Sequence, residues 1–318
     1  MTLAASREAA APPCASGAGS AGRATMTVPL RAHHGGVVLA LGSGGTRGLA
    51  HLGVLAELEA EGVPVLGIAG TSSGAMMGAM WLALGSAAAI ERVREFVRSG
   101  LARRMLDIGS DHHVHGLAGV LHRARYGATM IRAVLTRHVL TQEELLARVS
   151  FLLPDLSIES LRAPFLVVAT DNASGAEVRL GRGPLRLAVA ASSAMPGLVA
   201  PLALAGRRLQ DGGAVAEIPV GAARTLGSPV VAVEVSEGLP IGRPDTDRLP
   251  RAMFRAAAMG WLALRNRLLA EADAVIAPAV NHLHWADYHA LDEAVEAGRI
   301  AARAFLGTVQ GSKFKVQS

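Results

Sequence analysis

Three short stretches hold residues whose types and spacing can do chemistry. The first is Gly70-Thr71-Ser72-Ser73-Gly74, a G-x-S-x-G that follows an apolar run and precedes the helical stretch Ala75 to Leu84. On a tight strand-to-helix turn, Gly70 and Gly74 remove the Cβ clashes, and the Ser72 hydroxyl points out at the end of a sheet. There it meets the positive end of a helix dipole, where charge developing during nucleophilic attack is favoured. The bland reading of the same residues is a glycine-rich turn with a serine helix cap. The second stretch, Gly42-Ser43-Gly44-Gly45-Thr46-Arg47-Gly48, again lies between a strand and a helix. Backbone N–H groups exposed by adjacent glycines at a helix start form an anion cradle, for a phosphate or for the oxyanion of a tetrahedral intermediate. A dinucleotide site wants an acidic residue about 20 positions on, at the end of the second strand. That strand ends in Gly70-Thr71-Ser72 instead, so the oxyanion reading is preferred. The third stretch, Asp211-Gly212-Gly213, is by itself an ordinary turn signal.

Other polar groups offer competing chemistry. His282, His284 and His289 lie downstream, where a Ser-His-Asp hydrolase would carry its base. His112, His113 and His115 beside Asp111 suggest a metal, but adjacent histidines in an irregular segment do not share a face, and a solvated loop is expected. Cys14 is the lone cysteine. It has no basic surroundings to lower its pKa, and a single cysteine leaves a reducing, cytoplasmic setting as the default.

The elements around these stretches follow from pattern. Val37 to Leu41 reads as a buried strand; Leu49, Leu52, Leu55 and Leu58 make the stripe of a helix reaching about Glu61; Val65 to Ala69 is a second strand. Strand, helix and strand within about thirty residues is a βαβ unit, hence a parallel sheet with right-handed crossovers. Phe165 to Ala169 and Val230 to Val235 continue the strand pattern, with Ala274 to Ala277 weaker. Residues 1–34, rich in Ala, Gly, Ser and Pro, read as a tail in which Met26 offers a second start. One domain is expected over 35–306, with a helical cap at about 100–155 and a second tail over 307–318.

Composition narrows the classes. The 318 residues are 51% hydrophobic, enough for a substantial core, yet only 3% aromatic, which argues against a base-stacking nucleic-acid surface. The formal charge of +5 is dispersed along the chain and suits anionic partners in general. The apolar stretches Val65 to Leu84 and Leu185 to Ala205 are interrupted by Gly, Ser or Pro and do not read as membrane spans.

Taken together, the stretches resemble the patatin-like phospholipase family over about residues 36–300. The glycine loop with Arg47, the run Leu49-Ala50-His51-Leu52-Gly53-Val54-Leu55, Gly70 to Gly74, Ala169-Thr170-Asp171, Ala191 to Gly197 and Asp211-Gly212-Gly213 occur in the family's order. The resemblance implies a three-layer α/β/α sandwich on a mostly parallel sheet, no cofactor, and a Ser-Asp dyad. Ser72 matches the nucleophile and Asp211 the base. Gly44, Gly45 and Arg47 match the oxyanion loop, and Gly212 and Gly213 complete the motif after the aspartate. The implied reaction is hydrolysis of acyl esters in a lipid or phospholipid, of the phospholipase A or lysophospholipase type. Two positions depart from the family pattern: Ser43 stands where many members have a third glycine, and Glu217 where many have Asn. An acyltransferase or triad esterase, and a nucleotide-binding domain using the glycine loop, are the competing functions. Met76, Met77, Met80, Trp81 and Leu84 read as the buried face of the elbow helix, and as an acyl-chain wall too. Leu101, Met105, Leu117, Val120 and Leu121 are the cap's candidates for lipid contact. Apolar residues alternating with Arg103, Arg104, Arg123, Arg125, Arg132 and Arg137 in the cap suggest peripheral contact with an anionic membrane.

Overall fold

Alternation along the strands decides the architecture. In β1 (Val37–Leu41), Val37, Leu39 and Leu41 enter one apolar cluster while Val38 and Ala40 enter another. The same sorting divides Val167 and Ala169 from Val168, and Val231 and Val233 from Val230 and Ala232. A strand buried on both faces needs helices on both faces, which is the three-layer α/β/α arrangement. This computed structural model describes residues 36–102, 139–236 and 249–314.

The parallel core comprises β1, β2 (Val65–Thr71), β3 (Phe165–Asp171), β7 (Val230–Val233) and β8 (Ala274–Ile276). Three antiparallel strands, β4 (Glu177–Leu180), β5 (Leu202–Leu204) and β6 (Arg207–Asp211), attach at the β3 side. The hydrogen-bonded path is β5-β6-β3-β2-β1-β7-β8, with β4 also on β3. The larger cluster is covered by α1 (Ala50–Ala60), α2 (Ser73–Leu84), α3 (Ser86–Arg98), α4 (Gln142–Leu152), α5 (Leu185–Ser192) and α9 (Leu291–Phe314). The smaller is covered by α6 (Gly213–Ala216), α7 (Val220–Arg224) and the end of α8 (Leu249–Ala270). Leu49, Leu52, Leu55 and Leu58 are all buried in the larger cluster, as their spacing predicts. No helix among the described residues is long and apolar enough to cross a membrane.

Register places the site. Val168 pairs with Thr71 of β2 and Arg179 of β4, so those strands flank β3 on opposite sides. The next residue, Ala169, pairs with Val178 of β4 and Asp211 of β6. β6 therefore occupies the side that β2 has just vacated, running the opposite way. The two strands end head-on along β3, with Ser72 one step past Thr71 and Asp211 the last residue of β6. In the described part of the expected cap, α4 opens with a capping box in which Thr141 and Glu144 each satisfy the other's backbone N–H. Residues 103–138, which carry most of the cap's arginines, lie outside the described residues.

Candidate active site

Ser72 sits between β2 and α2 with φ 53° and ψ −117°, a positive-φ conformation unusual for a residue with a side chain. Its backbone is held in place: the Ser72 N–H donates to Ser192 Oγ (2.8 Å), and Ser192 Oγ–H donates to the Val168 carbonyl (2.6 Å). One hydroxyl thus ties the elbow to β3 through α5. Close packing leaves no alternative at Gly74, where an added Cβ would lie 2.1 Å from the Leu41 carbonyl oxygen. At Gly212 it would lie 2.3 Å from the Val168 carbonyl oxygen. The sequence pattern marks the block Ala191 to Gly197 but assigns Ser192 within it no role.

Asp211 is 5% exposed. Its Oδ1 accepts from the Gly213 N–H (2.7 Å), while Oδ2 is buried without a hydrogen-bond partner among the described residues. Burial pushes its pKa up to about 6. The Ser72 hydroxyl and the Gly213 N–H hold it down, and the nearby Glu217 carboxylate adds to the rise. The Ser72 hydroxyl is thus among the groups that act on this carboxylate, while Oδ2 itself accepts no hydrogen bond among the described residues.

The glycine loop is clamped from two sides. The Ser43 N–H donates to the Glu217 carbonyl (2.8 Å), and the Thr46 N–H and Oγ1 donate to the Trp285 (2.7 Å) and His284 (2.8 Å) carbonyls. Arg47 is buried, and its guanidinium donates to the Leu283 carbonyl (3.5 Å). Beneath the loop, fully buried His51 bonds the Gly42 carbonyl through Nε2 (2.8 Å), and burial lowers its pKa to about 4. The ring is therefore neutral near pH 7 and must donate from Nε2. With Ser43 and Thr46 engaged, the N–H groups of Gly44 and Gly45 donate to no group among the described residues. Gly45 has φ 61° and lies so close to the Trp285 carbonyl oxygen that a Cβ there would be 2.3 Å from it.

Ser72 and Gly45 border a cavity of about 110 Å³. Its walls come from Met76 and Met77 of α2, Val93 and Phe96 of α3, and Leu145, Val149 and Leu152 of α4. Met195, Leu198, Val199, Trp285 and Tyr288 complete it. The lining is apolar apart from a few groups, among them Arg148. The residues expected on the buried face of α2 divide: Met76 and Met77 line the cavity, Met80 and Trp81 are buried away from it, and Leu84 is half-buried. Leu101 packs at the edge of the main cluster, and Met105, Leu117, Val120 and Leu121 lie outside the described residues. The walls from α3 and α4 carry no chemical motif in the sequence, where the Thr141–Glu144 capping signature is the one local sign of α4.

The histidines stand apart from this arrangement. His282 Nε2 pairs with exposed Glu293 (2.7 Å), and His284 Nδ1 accepts from the Ala286 N–H (3.2 Å). Neither they nor His289 lines the cavity. His112, His113 and His115 lie outside the described residues, among which no His, Cys, Asp and Glu group could hold a metal.

A family model described as patatin-like phospholipase matches residues 39–224. An NTE family protein of Mycobacterium tuberculosis H37Rv is 35% identical over 184 residues, covering 58% of this chain and 44% of that protein. Human patatin-like phospholipase domain-containing protein 6 is 29% identical over 248 residues, 76% of this chain and 16% of its own length. The chain thus spans less than half the length of these relatives. Among solved structures, VipD from Legionella pneumophila aligns with TM-score 0.44 and 15% identity over 86% of this chain and 67% of its own.

Proposed function

The chain belongs to the patatin-like phospholipase family, and from that premise we propose that it is a lipid acyl hydrolase of phospholipase A or lysophospholipase type, working through Ser72 and Asp211. The observation that carries the reading is the head-on meeting of β2 and β6 along β3, which sets a strained serine beside a buried carboxylate at the edge of an apolar cavity.

In the proposed reaction an acyl chain lies in the cavity with its ester carbonyl over Ser72. Oγ attacks the carbonyl carbon as its proton passes to Asp211 Oδ2, the oxygen that lacks a partner. A carboxylate whose pKa stands near 6 is ionised at neutral pH yet basic enough to accept that proton. Charge gathering on the carbonyl oxygen is met by the uncommitted Gly44 and Gly45 N–H groups, with Arg47 bracing the loop from behind. Collapse breaks the bond to the alcohol, which leaves with the proton from Asp211, and Ser72 keeps the acyl group. Water then attacks the acyl enzyme, giving its proton to Asp211, and the fatty acid departs as Ser72 is re-protonated.

A triad esterase or transferase would need a histidine against Ser72, and the three downstream histidines are bonded elsewhere or absent from the cavity lining. A dinucleotide cradle would want an acidic residue at the end of β2, where Gly70-Thr71-Ser72 stand instead. The reading is tested by hydrolysis of a short soluble ester by wild type and Ser72→Ala. Turnover confined to wild type is expected; equal turnover by both would overturn the reading.

A further inference from the structure

α8 presents an unusual surface. Its 22 residues contain no Asp or Glu. Met253 is 64% exposed, Met259 50% and Trp261 48%, three of the six large apolar residues exposed on the described protein. Ala257, Gly260 and Arg267 are exposed alongside them. At 100° per residue these positions share one broad outward arc. The inner side is anchored differently: buried Arg265 approaches Glu234 (3.7 Å), and Leu269 packs against the smaller apolar cluster. The helix therefore turns apolar residues to both sides, which a helix resting in water on one face does not need.

Position adds to this. The chain leaves β7 at its carboxyl end and enters parallel β8 from its amino end, so the Leu249 end of α8 lies toward the sheet edge that carries Ser72. We infer that the outer face of α8 is a docking surface for an anionic lipid bilayer, with Met253, Met259 and Trp261 entering the acyl boundary and Arg267 meeting the headgroups. Charge complementarity selects this occupant: an apolar arc with an arginine within it and no acidic residue along the helix fits anionic headgroups over acyl chains, the pattern of helices that lie in the interface. A second copy of the chain would bring the same positive charge to the same arc.

The inference is independent of the Ser72 chemistry, and its test keeps the two apart. Full-length wild type, Ser72→Ala, Trp261→Glu and Ile300→Glu are co-sedimented with phosphatidylcholine vesicles containing zero or about a third phosphatidylglycerol, at low and high salt. Ile300 is also exposed, 58%, but lies on α9. Wild type, Ser72→Ala and Ile300→Glu are expected to bind the anionic vesicles and to release with salt, while Trp261→Glu loses on the order of tenfold in binding. Tryptophan emission should shift to the blue on binding in wild type. Should Trp261→Glu fail to fold, Arg267→Glu carries the same expectation. Absence of wild-type binding, or unchanged binding by both α8 variants, would overturn the proposal. So would a wild-type dimer that these variants convert to monomer without change in vesicle binding, which would make the face a self-association surface.

Discussion

As the proposed base, Asp211 would serve two ends that pull against each other. Burial raises its pKa to about 6, which suits a general base near neutrality and costs stability. A carboxyl whose folded pKa lies above its unfolded value binds more protons when folded, so its contribution is fully present below about pH 4 and is lost as pH rises through about 6. At pH 8 the ionised, buried Asp211 should cost about 3 kcal/mol relative to a neutral group of the same shape. Asp211→Asn is expected to lower kcat by about 10²- to 10⁴-fold while raising Tm at pH 8, with the Tm gain shrinking toward pH 4. Paired kinetics and calorimetry check both halves. His282→Ala, His284→Ala and His289→Ala should each retain most activity. In wild type, kcat/KM should rise with pH through about 6 and then level off, because the ionised carboxylate is the reactive form. Ser72 makes a parallel case. At φ 53° its conformation costs about 1–3 kcal/mol, so Ser72→Gly should be inactive yet melt a few degrees higher.

At the scale of elements, two strand ends must be held against each other, and Ser192 does much of the holding. Ser192→Ala would leave the Ser72 N–H and the Val168 carbonyl without their partner, at a cost of about 1–3 kcal/mol. Thermal melting should show that loss, and kcat should fall with little change in KM because the cavity walls are untouched. The parallel strands were readable because β1 and β7 are unbroken apolar runs, the mark of strands buried on both faces. β2 and β3 run two residues past their apolar predictions, to Thr71 and Asp171, because polar residues at a sheet's carboxyl edge still pair. β6 was not readable. Arg207-Arg208-Leu209-Gln210-Asp211 buries only Leu209 and Asp211, and β5 has just three residues. Such strands are fixed by pairing with β3, a tertiary fact that local pattern does not carry.

For the whole molecule, the candidate residues fall in order along the sequence, but what brings them together is topology. Ser72 and Asp211 are separated by the chain's excursion through β3, β4 and β5, and only the shared side of β3 makes them neighbours. The glycine loop was legible as an anion cradle, whereas its clamp by the Leu283 to Trp285 segment depends on α9 packing against α1, anchored by Arg303 on buried Glu57 (2.7 Å). The cavity likewise joins α2, α3 and α4 with a late segment bearing Trp285 and Tyr288, so no single stretch announces it. In the proposed mechanism Ser72 is the residue acylated during turnover. Peptide mapping by mass spectrometry after treatment with a fluorophosphonate tests it most directly. One adduct per chain on the peptide bearing Ser72, absent from Ser72→Ala and slowed in Asp211→Asn, is the result expected; an adduct on Ser73 or elsewhere, or undiminished labelling of Ser72→Ala, would rule out Ser72 as the nucleophile.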